Sequence, residues 1–336
     1  MDKFGFIVHT VGINEFKKFW GLPGFIPGFL IKFFLKIIPP FKLSEVKQFT
    51  AKPGREIKGY FIGCPLIPEQ MVKLSEKFVL KRIIQSAKIA ERLGAKIVGL
   101  GGYTSIVGDK GSSVAGSVNI AVTSGNCLTA WSATEAVLSI AEKQKIDLRK
   151  STLAIIGASG SIGSLCARRL SGNFAKVIIT ARRKERLEEL RQEVLNSNKT
   201  DIVIFDDIHQ AIKNADVIIV TTSAPEALID LNELKKGAII CDISIPKNIT
   251  ETSKRNDIIS FAGGLIKLPF EVDFGTKTGL PKGVIYGCIA ETMLLTMEGN
   301  FINYSIGDKI SLDKLDEIGN IANAYGFKPY LGDKNG

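Results

Sequence analysis

Short runs of Val and Ile alternate with amphipathic stretches through the middle of this chain, and that alternation predicts its architecture. TLAIIG, from Thr152, reads as a strand entering a glycine turn, and SIGSLCARRLSG follows with helical spacing. KVIITA is the next strand and RKERLEELRQEVLNS the next helix. DIVIF, DVIIVTT and AIICDIS supply further strands with short helical connections, and IISFAGG closes the series. Apolar runs of this length, bounded by turns and alternating with helices, describe a doubly wound parallel sheet covered on both faces. The expected class is therefore α/β, with a Rossmann-type doubly wound parallel sheet beside an α/β substrate domain completed by C-terminal helices.

The flanking regions carry the same signals less regularly. FGFIVHTV reads as a first strand, and KFVLKRIIQSAKIAERL, Lys77 to Leu93, as a helix stopped by Gly94. KIVGLGGYTSIVGD and NIAVTSGN each read as a strand running into a polar turn, and residues 127 to 144 resume a helix. These patterns predict an N-terminal domain over 1–130 and a cofactor domain over 131–283, with a connecting helix at 131–145. C-terminal helices over 284–336 would carry a nucleophile and pack on the N-terminal domain. A chain of 336 residues is long enough for two domains with buried cores.

Residues 16 to 42 break the pattern. FKKFWGLPGFIPGFLIKFFLKIIPPFK is rich in Phe, Ile and Leu, yet glycines, prolines, Lys32 and Lys36 interrupt it. The uninterrupted apolar run is too short for a spanning helix. Two readings stay open: a segment buried on the core or at a subunit contact of a homo-oligomer, or an interfacial element with Phe and Trp20 in lipid and lysines at phosphates.

Composition narrows the function. At 45% hydrophobic and 23% charged residues, the chain reads as a globular protein rather than a disordered one. The net charge of +10 favours acidic partners, but the basic residues are scattered and no nucleic-acid motif accompanies them. Nucleic acid is not expected as a partner. The five cysteines show no CxxC and no short Cys/His spacing, so neither a zinc site nor a disulfide scaffold is expected. With His9 and His209 as the only histidines, a Ser-His-Asp hydrolase has few ways to be built. The start, MDKFGFIVHT, lacks the order of a signal peptide, and a cytoplasmic location, peripheral at the membrane if residues 16–42 touch lipid, is the expectation.

The glycine turn supplies the first candidate site. Gly157, Ala158, Ser159, Gly160, Ser161, Ile162 and Gly163 lie between an apolar strand and a helix, the context that gives such a triplet meaning. Gly157 would make the tight turn, Gly160 admit the pyrophosphate, and Gly163 permit close helix packing, with phosphates on the helix N-terminus. The next strand ends Thr180-Ala181-Arg182-Arg183 where an NAD site usually has a carboxylate, and two guanidinium groups suit a 2′-phosphate. NADPH is the expected cofactor. Thr221, Thr222 and Ser223 end the fourth strand beside the expected nicotinamide ribose, and Gly263-Gly264 would let the ring approach.

Cys288, in VIYGCIAETMLL, is the second candidate. A free cysteine is most often a small buried hydrophobe, and Cys166 and Cys241 are read that way, while Cys64 and Cys127 lie beside turns and stay open. Cys288 follows a glycine near a helix start, where the dipole lowers a thiol pKa.

The chain resembles the long-chain acyl-acyl-carrier-protein reductases, a shikimate-dehydrogenase-like group known from cyanobacterial alkane synthesis. The likeness lies in FGFIVHT, LGGYTSI, TSGN followed by TA, IIGASGSIGS, ITARRKERL, IPKN, AGG and GCIAETMLLTMEG, in order along nearly the whole chain. It implies that Cys288 carries the acyl group as a thioester, that the glycine loop binds NADPH, and that acyl carrier protein or acyl-CoA donates the acyl chain. It implies reduction of that chain to a fatty aldehyde. Such chemistry needs donors for an oxyanion. Thr104 and Ser105 in GGYTS, or Ser124 and Asn126 in TSGN, are candidates, as polar turns after apolar strands. Local turn hydrogen bonds explain the same residues equally well. No histidine is an obvious base, since His9 is remote in sequence and His209 lies on a connection of the cofactor domain. This chain departs from the cyanobacterial members at residues 16–42, where they are polar, and at Asp242 to Pro246, where they are richer in glycine. A dehydrogenase-like NADP oxidoreductase without covalent catalysis, and a non-catalytic NADPH- and lipid-binding protein, are the alternative readings.

Overall fold

Two parallel sheets organise the chain, each in its own unit: Met1–Gly125 with Leu268–Lys309, and Asn126–Lys267 with Ile310–Gly336. The computed structural model describes residues 1–52, 55–198, 200–224, 228–249 and 255–332.

The first unit begins with β1 (Asp2–Val8), α1 (Ile13–Trp20), α2 (Gly28–Ile37), β2 (Phe41–Lys52) and β3 (Arg55–Gly63). It continues through α3 (Pro68–Lys73), α4 (Glu76–Arg92), β4 (Ile97–Leu100), α5 (Ser112–Ala115) and β5 (Ala121–Thr123). Its sheet runs β2-β3-β1-β4-β5, parallel throughout except for β2, which lies antiparallel to β3.

The second unit begins with α6 (Asn126–Lys143), β6 (Thr152–Ile156), α7 (Ser161–Leu170), β7 (Lys176–Thr180) and α8 (Lys184–Asn198). β8 (Asp201–Ile204), α9 (Ile208–Ile212), β9 (Val217–Val220), β10 (Ile239–Asp242), β11 (Ile259–Ala262) and β12 (Leu265–Lys267) follow. The chain then returns to the first unit with β13 (Val284–Tyr286) and α10 (Gly287–Glu298). It ends in the second with α11 (Leu312–Ala324) and β14 (Lys328–Pro329).

Both faces of the first sheet are covered, as a mainly parallel sheet requires. Buried positions of α4 (Val79, Ile83, Ala87 and Ala90) recur at helical spacing, and they pack with Ile7 and Val98 in one cluster. α10 packs on β1 and β4 and is buried nearly all round, from Ile289 to Met297. Its threonines do not need outside partners: Thr292 Oγ1 donates to the Cys288 carbonyl (3.0 Å) and Thr296 Oγ1 to that of Thr292 (2.7 Å). The helix lies so close to β4 that a methyl group at Gly99 would overlap Thr292 Oγ1 and come within 2.5 Å of Phe6.

The second sheet runs β11-β10-β9-β6-β7-β8, with every neighbouring pair parallel. Counted from its first strand this is 3-2-1-4-5-6, the order of dinucleotide-binding sheets, and it reverses between β6 and β9. Ligands of such sheets sit outside the carboxyl ends of the strands at that reversal. The Rossmann-type α/β class read from the sequence is the observed one.

The unit boundaries differ from those the pattern suggested. The helix from Asn126 opens the second unit, residues 268–309 belong to the first, and residues 310–336 go with the second. α11 therefore does not join α10. It packs on α6 and α7, where Arg169 pairs with Glu135 (2.6 Å) and with Asp316, and Gly319 admits the Trp131 indole. β14 completes this arrangement by pairing antiparallel with β12. An apolar helical stripe carries no label for which core it joins.

Gly99→Ala is expected to lower the unfolding free energy by about 1–3 kcal/mol, the usual cost of overpacking. Denaturant unfolding monitored by circular dichroism measures it.

Candidate functional site

β13 delivers the chain into α10 so that Cys288 is the second residue of the helix, after Gly287. In that first turn the amides have no intrahelical acceptor. The amides of Ile289 and Cys288, with that of Gly102 from the GGYTS turn, favour the Cys288 thiolate by hydrogen bonding. The TSGN turn reaches the same place. Gly125 has a φ of +74°, and a methyl there would overlap Cys288 Cα and Cβ, so only glycine fits. Two polar turns and one helix start thus meet at Cys288, with Gly102 directed at its sulfur and Gly125 against its Cα and Cβ. Cys288 is partly exposed, whereas Cys64, Cys127, Cys166 and Cys241 are buried.

The helix start does not leave the thiol acidic. Burial pushes the Cys288 thiol up to about 12, against the pull of the three amides, and the Glu291 carboxyl adds to the rise. Desolvating the charged sulfur outweighs the dipole here, the reverse of the expectation from helix position alone. Burial also pushes up the Tyr286 phenol, and Cys288 itself contributes to that. Glu291 is fully buried, one turn beyond Cys288, and accepts a hydrogen bond from Thr123 Oγ1. Sequence reasoning did not single out Tyr286 or Glu291. Their signal was in plain view, as the spacing YGCxxE puts all three titratable groups around one helix start.

Three of the four polar side chains nominated as oxyanion donors are engaged locally. Thr104 Oγ1 donates to the Gly101 carbonyl (2.9 Å), Ser105 Oγ to that of Gly102 (2.7 Å), and Ser124 Oγ to that of Ser305. Asn126 is buried at the start of α6. The donors that converge on Cys288 are main-chain amides. His9, set aside as remote in sequence, does reach this region because β1 lies beside β4. Its Nε2 accepts from the Tyr103 amide (3.0 Å), which leaves Nδ1 to donate to the Thr10 carbonyl (3.0 Å). Burial lowers its pKa, so the ring is neutral with both nitrogens engaged. It fixes the turn that presents Gly102 rather than serving as a base. His209 lies in the other unit and pairs with Glu233 (2.6 Å).

In the second unit the glycine loop stands at the reversal of strand order. Gly157 takes a φ of +86°, and its amide and that of Ala158 donate to the Thr180 carbonyl (2.8 and 3.2 Å). Thr221 Oγ1 donates to Ile156 and Gly157 carbonyls (2.9 and 3.2 Å), tying β9 to the loop. A methyl at Gly163 would lie 2.6 Å from the Gly157 carbonyl oxygen. No side chain caps α7 at Gly160, whose own amide donates to the Gly157 carbonyl (3.0 Å), so the amides of Ser159, Ser161, Ile162 and Gly163 are the ones offered to an anion. Arg182 and Arg183 are exposed at the end of β7, and Arg183 donates to the Ser159 carbonyl (3.2 Å), which holds its guanidinium against the loop. These features fit a phosphorylated dinucleotide. Thr222 Oγ1 accepts from the Ala224 amide (3.1 Å), and Ser223 lies beside it, partly exposed.

Other polar groups near the sheet edge have structural duties. Methyls at Gly263 and Gly264 would overlap Cys241 Sγ and press on Thr129 respectively, so these glycines serve internal packing. Asp242 accepts from the Ser244 and Asn248 amides (2.9 and 2.8 Å), while burial raises its pKa. A broad open cavity of about 1160 Å³ beside α8 and α9 is lined by Glu185, Glu188, Glu189, Asp206 and Asp207 against Lys184, the wrong charge for a phosphate. Among the described residues no group of three His, Cys, Asp or Glu is placed to hold a metal ion.

Residues 139–262 match the family model of shikimate/quinate 5-dehydrogenases. Over 307 residues the chain is 29% identical to the long-chain acyl-acyl-carrier-protein reductase of Synechococcus elongatus, covering 87% of this chain and 88% of that protein. It is 27% identical over 343 residues to aminotransferase PigE of a Serratia species, covering 98% of this chain but only 40% of PigE's length. A 128-residue stretch is 34% identical to glutamyl-tRNA reductase of Methanococcus maripaludis, covering 37% of this chain and 32% of that enzyme. Two of these relatives are reductases, and with the Rossmann sheet and its glycine loop they support an NAD(P)-linked oxidoreductase.

Iodoacetamide is expected to alkylate Cys288 alone in the folded protein, slowly at neutral pH. Below a thiol pKa near 12 the thiolate fraction, and so the rate, should rise about 10-fold per pH unit. Peptide mass mapping across pH 7 to 9 checks both points, and a flat profile or comparable labelling of a second cysteine would contradict them.

Proposed function

We propose that this chain reduces a long-chain fatty acyl thioester to the fatty aldehyde with NADPH, through an acyl-enzyme on Cys288. The observation that carries the reading is the placement of Cys288, a partly exposed residue at the start of α10, with amides from Gly102 and Ile289 directed at its sulfur. The 29% identity to an acyl-acyl-carrier-protein reductase along most of the chain supports it.

In this reading the Cys288 sulfur attacks the carbonyl carbon of the donor. The bond from that carbon to the donor's own sulfur breaks, and the donor leaves as a free thiol with the proton Cys288 gave up. The Gly102 and Ile289 amides hold the carbonyl oxygen as it gains negative charge, and Gly125 and His9 keep the two turns in register. Glu291 and Tyr286 are the nearest titratable groups to relay the proton. The raised thiol pKa keeps most of Cys288 protonated until a donor arrives, which slows attack of the resting sulfur on other electrophiles. Gly157 to Gly163, with Thr221, Arg182 and Arg183, would hold NADPH, which supplies the hydride that releases the acyl group as aldehyde. The donor is an acyl carrier protein or coenzyme A, and a net charge of +10 suits either acidic carrier.

The shikimate/quinate 5-dehydrogenase match over 139–262 favours one second reading, a dehydrogenase-like oxidoreductase with no covalent step. Intact mass after incubation with a long-chain acyl donor, without NADPH, separates the two. An acyl-sized gain is expected, absent in Cys288→Ser and discharged as aldehyde when NADPH is added. Activity retained by Cys288→Ser would give the site to the dehydrogenase-like chemistry instead.

Replacing both Arg182 and Arg183 by Ala is expected to raise KM for NADPH by about 10-fold, equivalent to about 1.4 kcal/mol, with little change for NADH. Steady-state kinetics with the two cofactors measures it.

A further inference from the structure

The segment from residue 13 to residue 42 folds as a helical hairpin with two distinct apolar faces. The inner face belongs to the fold: Ile31 and Leu35, one turn apart on α2, cluster with Ile67, and Ile13, Phe16 and Ile26 pack against them. The main chain of α2 is fastened as well. Gln70 Nε2 donates to the Lys32 carbonyl (2.8 Å), and buried Arg82 donates to the carbonyls of Lys36 and Ile37, the second at 3.2 Å. The hairpin is therefore held against the first unit in a fixed pose.

The outer face has no such partner. Trp20, Phe25, Phe29, Phe33, Phe34 and Ile37 are between 49% and 85% exposed. Isolated exposed apolar side chains are ordinary, but six large ones on one short segment mark a contact surface. On α2, Phe29, Phe33 and Ile37 stand on the side away from Ile31 and Leu35, so the helix carries apolar side chains on two faces, with Lys32 and Lys36 between them. Between residues 13 and 42 the chain carries Lys17, Lys18, Lys32, Lys36 and Lys42 against Glu15 alone. Lys32 is paired with Glu69, and Lys42 with Glu45. Among the described residues Lys18 and Lys36 have no ion-pair partner and stay exposed beside the aromatic cluster.

We propose that this hairpin docks the protein on the surface of an anionic lipid bilayer, with the aromatic face in the acyl–headgroup boundary and Lys18 and Lys36 at lipid phosphates. The charge pattern separates this occupant from the others. A two-fold contact between copies of the chain would set lysines of one near lysines of the other with a single glutamate to offset them. A protein partner is recognised by directed hydrogen bonds, for which the exposed side of α2 offers the Lys36 ammonium among phenylalanine, leucine and isoleucine. A bilayer needs no direction, and aromatic residues flanked by lysine are what its interface accepts. The geometry is that of a helix lying on the membrane: the ten residues of α2 extend about 15 Å, half the hydrocarbon thickness. No helix among the described residues is long and apolar enough to cross a membrane.

Flotation of the full-length protein with vesicles of phosphatidylcholine alone, or with about one third phosphatidylglycerol, tests the proposal independently of any enzymatic activity. Binding to the anionic vesicles is expected, weakened at least 10-fold in pure phosphatidylcholine or high salt. The exposed-face variant Phe29→Ser/Phe33→Ser/Phe34→Ser should lose binding about 100-fold or more while keeping its circular dichroism spectrum. Lys18→Glu/Lys36→Glu should lose the anionic preference. Trp20 gives a direct readout, because Trp131 is buried: its emission should shift to the blue on anionic vesicles, and not in Trp20→Phe. Failure of the wild-type protein to float, or equal binding by the triple variant, would overturn the proposal. So would a dimer in sedimentation that the triple variant converts to monomer, which gives the face to a second copy. A triple variant that floats normally but loses affinity for a soluble acyl carrier would give it to the donor.

Discussion

The first unit depends on how closely α10 approaches the strands beneath it. Most helices rest on a sheet through a layer of side chains, but at Gly99 the helix sits where a single methyl would collide with Thr292. Gly125 repeats the condition at the helix start, where the TSGN turn touches the Cys288 backbone. This closeness buries Glu291, Thr292 and Thr296 and places the first-turn amides and the Gly102 amide around one sulfur. The same closeness strips solvent from that sulfur and drives its pKa upward. Placement and protonation of Cys288 are two results of one packing constraint.

The second unit answers to a different requirement. Its cofactor loop depends on the strand ends of β6 and β9 being tied together, which Thr221 does through the Ile156 and Gly157 carbonyls. The residue that resembles a ribose contact in sequence is thus also a strut of the loop. Arg183 is similar, since its bond to the Ser159 carbonyl holds a positive charge against the glycine turn. In both units main-chain geometry shapes the candidate site, and side chains hold that geometry still.

Much of this was legible in the sequence, for identifiable reasons. The strands of the second sheet are short Val/Ile runs at regular intervals, and Gly157, Gly160 and Gly163 lie at a strand-to-helix junction, so local pattern sufficed. Three-dimensional closure was not legible. His9 and Tyr103 are far apart in sequence but meet because β1 and β4 are neighbours, a pairing no local pattern records. The hydroxyls of Thr104, Ser105 and Ser124 could be read as oxyanion donors or as local turn partners, because a sequence does not say which carbonyl lies within reach. The thiol's protonation was misjudged for a related reason, since helix position is a local property and desolvation is not. The segment from 16 to 42 was recognised as unusual, but only the fold separates its inner stripe from its outer one.

The division of the chain into units has a consequence for how the protein is made. The polypeptide passes from one unit to the other at residues 125, 267 and 309. During synthesis the sheet of the first unit is therefore complete long before α10 leaves the ribosome, and the Phe6 side of β1 waits uncovered for more than half of translation. The first unit cannot close as an independent N-terminal domain, and its folding is of high contact order and late. A nascent chain of this design relies on chaperones, or on rapid completion of the polypeptide, to keep that face from sticking to its neighbours.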